Sequence, residues 1–95
     1  MFIVLLRFSA NRAGAPDFMA GHNEWIAAGF AEGVFQCVGS LKPEGGGAIL
    51  AIGEGRDEVE MRVNADPFVI NDVVTAEIIE VDVRRTAHEL EALKA

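Results

Sequence analysis

The chain has 95 residues, 51% hydrophobic and 24% charged, which is enough apolar surface for one folded domain and too little length for two. Fifteen acidic residues against eight basic ones give a net charge of −7, and no Lys/Arg cluster interrupts it, so a phosphate backbone is opposed and nucleic acid is a poor partner. No apolar run approaches the roughly 20 residues of a membrane helix. Met1 leads straight into apolar residues without a basic n-region, and the single cysteine rules out an internal disulfide, so a cytoplasmic protein is expected.

Met1 to Phe8 is rich in Ile, Val, Leu and Phe and ends at the polar Ser9-Ala10-Asn11-Arg12, which predicts a first strand. Pro16 suits the first turn of a helix and Asp17 its positive end, and the helix is predicted to run to about Glu32, with Gly33 as its stop. Phe18, Met19, His22, Trp25, Ile26, Gly29 and Phe30 follow one another at three- and four-residue steps and define a single face for burial. Gly21 and Gly29 disfavour a helix interior and are read as points of close packing against the sheet.

Val34 to Leu41 reads as a second strand, with Cys37 as a small buried hydrophobe. Lys42 to Gly46 then turns the chain into a third strand, Gly47 to Gly53. Asp57 with Glu60 three residues on resembles a capping box, and the second helix is expected to end near Asp66-Pro67. Val59, Met61, Val63 and Ala65 also alternate as a strand would; the cap and the charged Arg56-Asp57-Glu58 lead favour helix. Val73 to Val83 is the fourth strand, and Thr86 with Glu89 caps a short tail helix to Lys94.

The order βαββαβ plus a tail helix predicts an α+β, ferredoxin-like domain over residues 1–95, with its core in 1–85 and its tail in 86–95. A four-stranded antiparallel sheet would carry both helices on one face. Phe2 to Leu6 and Ala48 to Ile52 are apolar on both faces, so the helix-free face also requires cover, and a second copy of the chain is the simplest one.

The glycine-rich turns match no phosphate-binding fingerprint, and His22 and His88 lie too far apart for a histidine metal motif, so neither a cofactor nor a metal is expected. His22 is the titratable group within the apolar stripe of the first helix. Such a histidine is either a hydrogen-bonded core residue or a proton-transfer group. Asp66 is either a turn-fixing carboxylate before proline or the partner of that histidine. In a ferredoxin-like fold the two helices pack side by side, and a carboxylate on one imidazole N–H would hold the tautomer and leave the other nitrogen to move a proton.

These residues resemble the YCII-related proteins, small ferredoxin-like domains that pair into dimeric α/β barrels. The resemblance spans nearly the whole chain: the first apolar strand, His22 followed by Trp25-Ile26 and Gly33, Val38-Gly39-Ser40-Leu41, the glycine-rich turn into Ala48-Ile49-Leu50, and Ala65-Asp66-Pro67-Phe68-Val69. It implies a homodimer closed through the open sheet faces, and a pocket in which His22 and Asp66 form a catalytic dyad. A related enzyme eliminates chloride from a hydroxylated aromatic compound. The chain departs from the family pattern at Ser40, where proline is common, and in the tail from Thr86.

The leading expectation is a cofactor-independent enzyme of isomerase, lyase or elimination type, acting on a small cyclic or enolisable substrate, with His22 as general acid/base and Asp66 as its orienter. Arg7, Trp25, Ser40 and Phe68 are the candidate substrate-binding residues. The alternative is a non-catalytic small-molecule-binding or interaction module in which His22 and Asp66 share a structural hydrogen bond.

Overall fold

The computed structural model describes residues 1–95. Strand β1 (Phe2–Phe8) is paired on both sides, antiparallel to β3 (Gly47–Ala51) and to β4 (Val74–Glu80), while β2 (Phe35–Ser40) pairs with β3. The resulting four-stranded sheet has the order β2-β3-β1-β4. Side chains alternate across it with period two. Phe2, Val4 and Leu6 of β1, with Ile49 and Ala51 of β3 and Phe35 of β2, point into a single buried cluster that Val59, Val63 and Phe68 close from the helical side. This is the expected ferredoxin-like architecture.

Helix α1 (Ala15–Ala31) begins with Pro16 in its first turn and Asp17 at its positive end, and terminates where Gly33 takes a φ of +76°. Gly29 is its fully buried residue: a Cβ there would stand 2.1 Å from the Phe35 ring, so glycine is what lets α1 settle onto the sheet. Gly21 serves a different neighbour, since its added Cβ would meet Pro67 Cγ at 3.1 Å rather than the sheet. The predicted apolar face is only partly buried. Phe18, His22, Trp25 and Ile26 are half-buried, whereas Met19 and Phe30 keep 43% and 42% exposure; Met19, with His22 and Ile26, borders a cavity beneath α1.

The region from Arg56 to Ile70 differs from the sequence reading. Helix α2 (Arg56–Asn64) is capped two residues earlier than expected, with the Gly55 N–H donating to Glu58 Oε1 at 3.1 Å, so Asp57 is not its cap. Burial of Val59 and Val63, four residues apart, resolves the period-two ambiguity in favour of helix. After it comes a separate short helix, α3 (Pro67–Ile70), whose cap is Asp66. Asp66 is held extended by the following proline, and its Oδ1 accepts the Phe68 N–H at 3.0 Å.

Two further expectations fail. Cys37 is exposed: an irregularity in the β2–β3 pairing between Phe35 and Cys37 sets the cysteine opposite Leu50, on the sheet face away from the core cluster. The tail forms 3-10 turns over His88–Lys94 with a kink at Leu90 and no side-chain cap, and the buried Thr86 Oγ1 has no partner, so the Thr86–Glu89 box does not form. Ile3, Leu5, Leu50 and Ile79 occupy the face opposite the core cluster, partly or largely exposed. No helix is long and apolar enough to cross a membrane.

Candidate functional site

Asp66 is fully buried, the one buried charged residue of the chain. A carboxylate without solvent requires donors. Its Oδ1 receives two: the Phe68 N–H that starts α3, and His22 Nδ1 from α1 at 2.8 Å. Oδ2 receives none. Close approach of the two helices makes the second bond feasible, and Gly21 against Pro67 is the contact that permits it, each residue being the chain neighbour of one member of the pair.

The imidazole is fixed on its faces as well. It stacks nearly parallel to the Phe68 ring, with centroids 4.0 Å apart and 6° between planes, and Trp25 stands 5.9 Å away on a more tilted plane. Trp25 is itself anchored by its indole N–H, which donates to the Arg62 carbonyl at the end of α2, at 2.9 Å. An Asp66 carboxylate acceptor requires the proton on Nδ1, so in the neutral ring Nε2 carries the lone pair. Nε2 has no partner within the chain, and His22 lines a cavity of about 390 Å³ between α1 and the β2–β3–β1 part of the sheet.

That cavity is floored by Leu6, Ile49 and Val74 and walled by Phe8, Ile26 and Phe68. Ser40 also lines it, from the end of β2, and so does Asn23, which the sequence reading missed. Both bring polar side chains to the cavity lining that could meet a bound molecule. Asn23 follows His22 directly, and helical spacing put it outside the apolar stripe; only the position of the cavity mouth marks it.

Of the other sequence candidates, Phe68 lies in the cavity wall and against His22. Trp25 touches the imidazole but is absent from the lining, and it borders a shallower hollow between α1 and α2 with Arg62. Arg7 is tied to Glu77 at 2.7 Å and borders a second cavity, of about 320 Å³, beyond Phe8. No group of three His, Cys, Asp or Glu side chains is placed to hold a metal ion.

Arg62 knits the flank of the site. Its guanidinium meets Glu54 at 2.9 Å and Glu32 at 3.1 Å, joining the β3–α2 loop to the end of α1. The hydrogen bond from Arg62 holds the Glu54 carboxyl below its ordinary range against the opposing effect of burial, and the two carboxylates raise the Arg62 pKa further.

No family model and no curated protein sequence matches the chain. Its fold is similar to that of 5-chloro-2-hydroxyhydroquinone dehydrochlorinase from Burkholderia phenoliruptrix, a structure solved in complex with 2,5-dihydroxybenzoquinone. The TM-score is 0.68, at 19% sequence identity, over 85% of this chain and 93% of that one. The likeness supports the fold of the subunit, a four-stranded antiparallel sheet backed by helices; at this identity it carries no chemistry across.

Proposed function

We propose that the protein is a cofactor-independent proton-transfer enzyme of the YCII-related type, a single cytoplasmic domain working as a homodimer on a small cyclic or enolisable substrate. The observation that carries this reading is the bond from Asp66 to His22, a residue that lines the cavity, with the opposite imidazole nitrogen unpartnered within the chain. Nε2 takes a proton from an acidic C–H of the substrate, and the electron pair of that bond moves into a new double bond. The imidazolium forms with its charge 2.8 Å from the Asp66 carboxylate, which stabilises it. In an isomerisation the proton returns at another carbon; in an elimination a leaving group departs with its bonding pair. Such a positioned acid/base pair contributes about 10²- to 10⁴-fold in rate. The reading is supported by the dehydrochlorinase of similar fold, an elimination enzyme by name whose structure was solved in complex with 2,5-dihydroxybenzoquinone.

The binding-module reading keeps one specific support, since Asp66 already has a structural task in capping α3. Solvent deuterium uptake separates the two. Small enolisable cyclic ketones and hydroxyquinones are incubated with the protein in D2O and followed by mass spectrometry, with circular dichroism confirming that His22→Ala stays folded. Wild-type-catalysed exchange that His22→Ala loses supports the enzyme; exchange equal in the two proteins, or at the buffer rate throughout the panel, returns His22 to a structural role.

A further inference from the structure

Arg7, Arg56, Arg62, Arg84 and Lys94 each meet a carboxylate. Arg12 meets none, in a chain with fifteen acidic residues. Its guanidinium lies over the Phe8 ring, 4.1 Å from the centroid, an arrangement that holds the plane in place and leaves its N–H donors unspent. On its other side is the turn between β2 and β3, where a Cβ at Gly45 would come within 3.0 Å of Phe8 and 3.9 Å of Arg12 Nη2. Phe8 is the wall common to the His22 cavity and the second cavity that Arg12 lines. Glu44 lines that second cavity too, without forming an ion pair with Arg12. Lys42 and Arg85, the other unpaired cations, border neither cavity.

The geometry points to Arg12 as the anion-recognising residue of the site, so that the substrate class is a small cyclic carboxylate: its ring packs against Phe8 and Phe68 in the His22 cavity, and its carboxylate meets the Arg12 fork past the edge of Phe8. The inference rests on reading the His22 cavity as a substrate site. A planar guanidinium donates two parallel N–H bonds to a carboxylate, and the apolar walls of the cavity contribute affinity without selecting charge. Arg12 therefore selects, while His22 reacts.

Benzoate and its neutral isostere benzamide test this. Each is titrated into ¹⁵N-labelled protein at pH 7.5 while the imidazole signals are followed, with His88 in the exposed tail as internal reference. In wild type, benzoate shifts His22 and leaves His88 unmoved, and binds about 10-fold more tightly than benzamide, the gain of one charge-assisted contact. Arg12→Met reduces that preference to within about 2-fold while benzamide binding is unchanged, and Arg12→Lys retains part of it. Equal binding of the two compounds in wild type, or a preference that survives in Arg12→Met, overturns the role of Arg12 and leaves the cavity as a ligand site. Failure of both compounds to move His22 overturns the cavity reading along with it.

Discussion

Asp66 is asked to do two things with one oxygen, capping α3 and holding His22. Removing the side chain takes away both. Asp66→Ala is expected to destabilise the fold by about 2–4 kcal/mol in urea unfolding, combining a lost cap with an unpaired buried donor. Asp66→Asn keeps an oxygen for the Phe68 N–H and should cost less, but it no longer presents a carboxylate to the imidazole. ¹⁵N spectra should then show the wild-type Nδ1–H form of His22 giving way to a mixture of tautomers; an unchanged tautomer would remove Asp66 as orienter. Gly21 sets the distance between the two helices. Gly21→Ala asks Pro67 to yield by a few tenths of an ångström, whereas Gly21→Val wedges α1 away from α3. The valine variant is expected to lose about 1–3 kcal/mol and, with it, the tautomer signature of the His22–Asp66 bond.

The helices are coupled at their far ends by Arg62. Both Arg62 and Glu54 side chains are only 16% exposed, so this pair is screened less than a surface one. Because folding lowers the Glu54 pKa from an ordinary 4.5, the unfolded chain takes up the proton more readily than the folded one. The pair's contribution is therefore present above pH 4.5 and is lost as the pH falls through the depressed folded value. Glu54→Gln should lower stability at pH 7 and narrow the gap to wild type in acid, measured as the difference between the two denaturation midpoints from pH 7 to pH 3. A gap that stays constant with pH would show that the charge of Glu54 contributes nothing. In the same region the capping arrangements of α2 and α3 differ from the sequence expectation because two caps compete for one short segment. Asp57 looks like a cap by type, but Gly55 is reached first by Glu58, and Pro67 forces a new helix start that only Asp66 can satisfy.

Across the sheet, the side that carries no core cluster presents Ile3, Leu5, Leu50 and Ile79 around the Arg7–Glu77 pair. The proposed homodimer covers this face. Sedimentation velocity at micromolar concentration should give a species of twice the 10.2 kDa chain mass, and Leu5→Asp, which sets a charge at the centre of the apolar group, should convert it to the single chain with its far-ultraviolet circular dichroism retained. A wild-type protein that sediments as one chain would dismiss the dimer and require another cover for these residues.

The order of the four strands and two main helices was legible in the residues, because apolar runs and helix-stop glycines are local signals that survive in almost any tertiary context; β1 and β3 are apolar on both faces, so which set turns inward was decided by the packing of the helices. His22 was legible as an odd polar group in an apolar stripe, and Asp66 as a carboxylate before proline. Their 2.8 Å bond was not, since it joins residues 44 apart and depends on how closely two helices approach at Gly21 and Pro67. Arg12 and Asn23 carried no sequence signal, one in a polar turn and the other on the solvent side of a helical pattern; their positions by the cavities come from packing alone. Periodicity reports which side of its own element a residue occupies. Which groups share a cavity is decided by contacts between elements, and these only the folded chain supplies.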